Sequence, residues 1–409
     1  NYVGDASMKN ARYLIWLQLT VGVGKAIKPI IDYFGSAENL YNSNYLQRKV
    51  CPNVTDKMLD AMESTPIEKA DEIIAVCKQN GWDIITIDDE NYPNKLKEIF
   101  DPPAVLYVDG KMPDVDKMLS IAVVGTRKPS NYAKSVARVI SKGLARCNAV
   151  VISGGALGID TSAHIGALEC GGITVAVMGC GLGSNYLASN EDLRRRITEK
   201  GAVISEFPPF TPASRFTFPM RNRIISGLAD GAFVVEAGTK SGSLITANFA
   251  VSQNRDMFAT AASIFDKRFN GTNKLISDGA VPVVDVESII SLYTEKYATL
   301  DMSRLATVDE LLNDEYKKRD LTPEQDEEIT FENIEKHRKN RTQIDERSRQ
   351  LVGDEKSVFD AMDDDFKDVE SIANVAQLDI NSVLVALTML ELDGLCESGM
   401  GKRYRRKQS

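Results

Sequence analysis

The sequence is poor in the residues that most often advertise chemistry. It has 2 histidines and 6 cysteines in 409 residues, and the cysteines stand apart at 51, 77, 147, 170, 180 and 396 with no Cys-x-x-Cys pair. That spacing offers neither a zinc site nor a disulfide framework, and it suits reduced thiols in the cytoplasm. No apolar run reaches the roughly 18 residues that a membrane span needs. A basic start followed by a long apolar stretch is missing, so a signal peptide is not expected; Asn1 to Ser7 reads as loose, and Met8 would suit a start. Positive charge is also short: 49 Lys and Arg stand against 58 Asp and Glu, a net charge of −9. An indiscriminate polyanion binder with a wholly basic surface is therefore excluded, whereas a local basic patch is not.

What is present divides into four stretches. Residues 8–80 read as short helices. Within them Thr20-Val21-Gly22-Val23-Gly24-Lys25 is either a helix-hairpin-helix turn for a phosphate or a tight turn in a small bundle, and the second is favoured for a single short copy. Residues 81–298 form the core, with 81–119 as an edge extension marked by the rigid Pro102-Pro103 turn. From Ile121 onward short continuous apolar runs alternate with helical patterns: Val150–Ile152, Thr174–Met178, Val203–Ser205, Phe233–Val235, Met257–Thr260 and Val281–Val283. This is the pattern of an α/β fold, a Rossmann-like doubly wound parallel sheet covered on both faces. Residues 299–353 are highly charged and read as a linker, with His337 a solvated side chain. Residues 354–409 read as three helices and a hairpin, a winged helix. Its third helix is nearly free of Lys and Arg, which favours a protein partner over duplex DNA.

In a parallel sheet ligands sit beyond the carboxyl ends of the strands. Ala149 to Leu168 reads as strand, glycine turn and helix, a geometry that aims backbone N–H groups at an anion, with Gly154 and Gly155 at the turn. Asp160 and His164, four apart on this helix, could do acid–base work or brace the loop; bracing is favoured because no nucleophile stands nearby. After the first core strand, Arg127 lies beside a helix that Ser130 or Asn131 can cap, a place that suits a cation only if an anion intervenes. Gly179 to Tyr186 imitates a dinucleotide fingerprint with Glu206 as its acid, but it fails at Ser184 and its helix starts too late. Arg215 to Arg223 interleaves arginines with Phe216 and Phe218, which suits single-stranded nucleic acid. Lys240, Ser241, Gly242 and Ser243 lead into a helix as a second phosphate cradle that lacks the Walker A order. Glu236, beside them, is expected to anchor an arginine such as Arg221 or Arg223.

With these loops in view the chain resembles the DprA family, also called Smf, of bacterial DNA-processing proteins. The resemblance rests on Gly125 to Ser130, Ser153 to Asp160 with Ala163 to Leu168, Phe218 to Gly227, Val235 to Ala237 with Ser241 to Ala247, and Gly271 to Ile276 with Asp278 to Ala280. Two departures stand out: Tyr186-Leu187 where the family has Tyr-Pro, and Thr260-Ala261-Ala262 where it has Val-Pro-Gly. The resemblance implies a Rossmann-like core with a small SAM-like or helix-hairpin-helix-like N-terminal domain. It implies a homodimer, through Gly271 to Val283, that binds single-stranded DNA, protects incoming DNA during natural transformation and helps load the RecA recombinase. No enzymatic turnover, cofactor, metal or membrane is implied. Carried over by residue, phosphate contacts fall on Arg127, Gly154, Gly155, Arg221, Asn222, Arg223, Lys240, Ser241, Gly242 and Ser243. Phe216 and Phe218 become base-stacking candidates, and Asp160, His164 and Glu236 brace the loops. The alternatives on the same fold are a nucleotide-processing phosphoribohydrolase, with Glu236, Arg221 and His164 in its site, or a sensor of free nucleotides.

Overall fold

Strands that are buried on both faces must be apolar throughout, and the centre of this molecule is built of such strands. The computed structural model describes residues 5–25, 27–186, 190–312, 351, 353–363, 367–392, 395–399 and 403–406. The main unit carries β1 (Asp83–Thr86), β2 (Val105–Gly110), β3 (Ser120–Val124), β4 (Val150–Ser153), β5 (Thr174–Met178), β6 (Ala202–Ser205), β7 (Gly231–Val234), β8 (Asp256–Thr260) and β9 (Val281–Val283). They form one sheet in the order β1-β2-β6-β5-β4-β3-β7-β8-β9. From β6 to β9 every pairing is parallel, while β1 and β2 add an antiparallel edge as the extension. The chain leaves β3 towards β4, β5 and β6, then returns to β3's other side with β7. A switch point therefore lies at the carboxyl end of β3, between β4 and β7.

Helices α8 (Asn131–Arg146), α9 (Ile159–Glu169), α10 (Glu191–Thr198), α11 (Thr217–Gly227), α12 (Ser243–Ser252), α13 (Asn270–Ser277) and α14 (Glu287–Ile290) cover the parallel sheet, and α7 (Asn94–Lys97) covers the extension. Ser130 caps α8 by accepting from the Ala133 N–H at 3.1 Å, as its sequence position suggests. Helices α8 and α9 pack closely because Gly166 lacks a side chain: a Cβ there would lie 2.1 Å from the Arg138 carbonyl oxygen.

Six N-terminal helices, α1 (Asp5–Val21), α2 (Lys28–Phe34), α3 (Ala37–Asn42), α4 (Tyr45–Lys49), α5 (Asp56–Ser64) and α6 (Glu68–Asn80), share one hydrophobic cluster with a face of the sheet. The loose stretch expected up to Ser7 is helical from Asp5. Leu14, Ile15, Trp16 and Leu17 of α1 are fully buried, and Gln18 donates to the Glu206 carbonyl at 2.7 Å. In the Gly22-Val23-Gly24 turn, Gly24 lies against Met220 of α11: a Cβ there would meet its side chain. Residues 300–312 are not linker. Leu300, Leu305 and Leu312 pack on a second cluster in which Leu311 is fully buried, and Lys142 donates to the Leu311 carbonyl. Apolar side chains spaced among the charges cover α8 there. The linker reading for 313–350, His337 included, lies outside the described residues.

The second unit has helices α15 (Gly353–Ala361), α16 (Val369–Ala376) and α17 (Ile380–Leu392), with strands β10 (Lys367–Asp368), β11 (Cys396–Gly399) and β12 (Arg403–Arg406). Three helices and a three-stranded sheet make the expected winged helix, with Val358, Ile372, Val383, Leu387 and Leu390 at its centre. Val375 and Ile380 are 63% and 49% exposed. Arg406 is tied to α15 through the carbonyls of Phe359 and Asp360 and lies over the Phe359 ring. Among the described residues no helix is long and apolar enough to cross a membrane.

Candidate nucleic-acid interface

A cavity of about 720 Å3 opens at the switch point. Its walls come from the loops after β3, β4, β5, β6 and β7 and from α11. Gly125, Thr126 and Arg127 follow β3; Ala156 and Asp160 follow β4; Phe218, Arg221 and Asn222 lie on α11; Ser241, Gly242 and Ser243 open α12.

Phe218 is the centre of the arrangement. The Arg127 guanidinium lies 4.6 Å from its ring centroid, the Arg221 guanidinium 5.9 Å, and the Tyr186 ring 5.1 Å. Arg127 is exposed, while Arg221 keeps only 3% of its surface. Arg221 is held there by fixed acceptors. One terminal nitrogen donates to the Gly154 carbonyl at 2.6 Å and to the Val177 carbonyl, and Nε donates to Asn222 Oδ1 at 3.2 Å. Burial lowers the Arg221 pKa, and Asp160 opposes that shift. Burial likewise pushes the Asp160 carboxyl above its usual range, against the pull of Arg221. Two arginines beside one aromatic ring thus form a cationic recess at the end of the sheet.

The start of α12 forms the facing wall. Ser241 and Ser243 hydroxyls lie 2.8 Å apart, and the Ser243 N–H donates to Ser241 Oγ. Lys240 is exposed immediately before this wall. No acidic side chain stands in the first turn of α12, so no carboxylate offsets its positive end beside the cavity. By contrast, the N-terminus of α9, read from sequence as an anion cradle, is already covered. The Ile159 N–H donates to the Thr126 carbonyl, and Asp160 sits in the first turn.

Several expected roles move. Gly154 and Gly155 are buried behind the wall; a Cβ on Gly154 would lie 2.5 Å from Asp160 Oδ2 and 2.8 Å from the Arg221 guanidinium. Gly154 therefore makes room for the buried arginine, and neither glycine lines the cavity. Arg223 lies outside the cavity, forked onto both Glu206 oxygens at 2.6 and 2.8 Å and 3.5 Å from Asp101. Phe216 is 66% exposed with Arg215 over its ring, beside the cavity rather than in its wall.

The three bracing residues each hold a different join. Asp160 accepts from the Ala156 N–H at 3.3 Å. His164 faces away from Asp160: its Nδ1 lies 2.8 Å from Thr174 Oγ1, whose own hydroxyl donates to the Val151 carbonyl, so Nδ1–H is the donor. Burial drives its pKa down to about 3, and Arg221 adds to that, leaving a neutral ring that ties α9 to β5. Glu236 accepts from the backbone N–H and the hydroxyl of Ser130, so it anchors the β3–α8 loop rather than an arginine. Tyr186 and Arg215 line the cavity and were not singled out from sequence as site residues. The interleaving of arginines with aromatics marked the second of these, while nothing local marked Tyr186 as a stacking partner.

Residues 83–294 match the family described as DNA recombination-mediator protein A, and residues 345–402 match the DprA winged helix domain. The DNA processing protein DprA of Bacillus subtilis is 39% identical over 228 residues, which span 56% of this chain and 77% of that protein. Protein Smf of Synechocystis is 28% identical over 411 residues, covering 98% of this chain and all of that one. Among solved structures, DNA processing protein A of Streptococcus pneumoniae superposes with a TM-score of 0.61 at 31% identity, covering 68% of this chain and 97% of that one. The sheet order, the loops at its switch point and these matches agree, and the chain belongs to the DNA recombination-mediator protein A (DprA) family.

Proposed function

We propose that this chain binds single-stranded DNA in the switch-point cavity and acts as a recombination mediator, without turnover of its own. The observation that carries the reading is Phe218 set between Arg127 and Arg221, facing the open end of α12. A ring flanked by cations takes an unstacked base on its face and phosphates on either side. Duplex bases have their faces covered by their neighbours, so the same recess favours single strands. In this reading the protein shields incoming strands in the cytoplasm during natural transformation and helps load RecA onto them. It works as a homodimer, for which β9, at the edge of the sheet, and α13 offer the surface. The winged helix meets a protein partner, in keeping with the exposed Val385 and Met389 on its third helix.

Each phosphate contact on a single strand contributes about 0.7 to the slope of log affinity against log salt. An Arg127→Ala, Lys240→Ala double variant is therefore expected to bind oligonucleotides more weakly and to lower that slope by about 1.4. Titrations at several salt concentrations measure both. Unchanged affinity and slope in the folded variant would sink the reading. The hydrolase alternative assigns Glu236 and His164 to catalysis, but Glu236 is engaged by Ser130 and His164 by Thr174. Release of free base from nucleoside monophosphates, lost in Glu236→Gln, would reinstate it.

A further inference from the structure

The loop after β8 holds an aromatic ring almost wholly in water. Phe265 is 90% exposed and its neighbour Ile264 is 79% exposed. The loop is nonetheless fixed on both sides. The Asn273 side chain accepts from the Ala262 N–H at 3.3 Å and donates to its carbonyl at 3.1 Å. Asp266 caps the short 310 turn that follows and pairs with Arg268, and Phe269 is buried beneath. This is also where Thr260-Ala261-Ala262 replaces the family's Val-Pro-Gly, so Asn273 holds the backbone here without the proline.

The loop abuts the switch-point walls. The Gly271 N–H donates to the Ala237 carbonyl at 2.7 Å, and a Cβ on Gly238 would stand 3.7 Å from the Lys267 carbonyl. Tyr132, at the start of α8 and 55% exposed, meets the Phe269 ring edge-on at 5.8 Å. Lys128, Lys240 and Lys267 are all exposed along the same carboxyl edge of β3, β7 and β8. Strands lie about 4.8 Å apart, so β3 and β8 are separated by only about 10 Å. Exposed aromatic rings and exposed lysines on one edge of the sheet bring together, outside the cavity, the residue types that meet at Phe218 within it. A protein-docking patch would be a broader apolar area.

We infer that the single-strand path continues out of the cavity across β7 to β8, with Phe265 stacking on a base beyond those held at Phe218. The inference rests on the single-strand reading above. Phe265→Ala is expected to weaken binding of long oligodeoxythymidylates by about tenfold or more, the scale of one lost base stack. Binding of oligonucleotides short enough to fill only the cavity stays unchanged. Phe265→Trp is expected to keep full affinity, and its indole emission is quenched by the long oligonucleotides and not by the short ones. Equal binding of long strands by parent and Phe265→Ala, with Arg127→Ala still weakened, overturns this path and leaves the cavity reading standing. Failure of the parent to bind any single strand overturns both. Concentration-dependent self-association that Phe265→Ala abolishes, with DNA affinity unmoved, overturns the path and gives the loop to a second copy of the chain.

Discussion

Replacing Asp230 with alanine is expected to cost about 3–5 kcal/mol of stability, the usual scale for stranding a buried ionic partner. Asp230 is 5% exposed at the amino end of β7, opposite the cavity. It receives Lys95 Nζ at 2.6 Å, Lys296 Nζ at 2.9 Å, the Tyr297 hydroxyl at 2.5 Å and the Ser120 N–H at 3.0 Å. These donors come from the edge extension, from β3 and from the segment after α14, so one carboxylate joins three distant parts of the chain. Lys95 is itself buried, and its pKa is lowered by desolvation against the pull of Asp230. Without the carboxylate, its ammonium keeps only the Met118 carbonyl and the Ser120 hydroxyl. Burial works to raise the Asp230 pKa, but Lys95 and the hydrogen bonds outweigh it and hold it below the usual value. The sign follows. A depressed folded-state pKa gives stability that is complete above the unfolded value of about 3.9 and is lost as pH falls through the folded one. Urea unfolding of parent and Asp230→Asn between neutral and acidic pH checks this: the gap between them narrows below about pH 4. A gap independent of pH would show that the charge of Asp230 does not supply the stability.

The parallel strands were legible because burial on both faces leaves their sequences apolar without interruption, as in Val150–Ile152 and Thr174–Met178. The Ser130 cap was legible because capping is local. What depends on direction or on distant partners was not. Arg221 and Arg223 look like one cluster in sequence, yet residues two apart on a helix point about 200° apart. One borders the cavity and the other is forked onto Glu206. Asp160 and His164 share a helix face by spacing, but the partner His164 takes is Thr174 on the next strand, a choice set by how α9 packs on the sheet. Gly154 and Gly155 suggested amides offered to an anion. The space at Gly154 is instead filled by the Arg221 guanidinium, a contact of 67 positions' separation that no local pattern could announce. The motifs drew attention to loops that meet around the end of β3, while the direction each side chain takes there depended on packing.

Arg221→Ala is expected to weaken single-strand binding about a hundredfold or more, or about 2.8 kcal/mol at 1.4 kcal/mol per decade. The size follows from where the charge sits. An exposed cation such as Arg127 is screened by salt and finds its geometry only on contact. Arg221 is 3% exposed and already oriented by the Gly154 and Val177 carbonyls, so its ordering is complete before the ligand arrives. Its charge is buried, where the effective dielectric is lower and each charge–phosphate interaction is stronger than at the surface. Removal also leaves two buried carbonyls without their donor and Asp160 without its neighbouring cation, so a carboxylate then borders the place where phosphate must sit. Arg221→Lys separates the two contributions. A lysine restores the charge, but a single ammonium lacks the planar group that reaches both carbonyls and Asn222 Oδ1 at once, so it is expected to recover part of the affinity and little of the lost thermal stability. Oligonucleotide titration alongside thermal unfolding reads both. Full affinity in folded Arg221→Ala would mean that the buried arginine only props the wall, leaving Arg127, Lys240 and the start of α12 as the entire anion site.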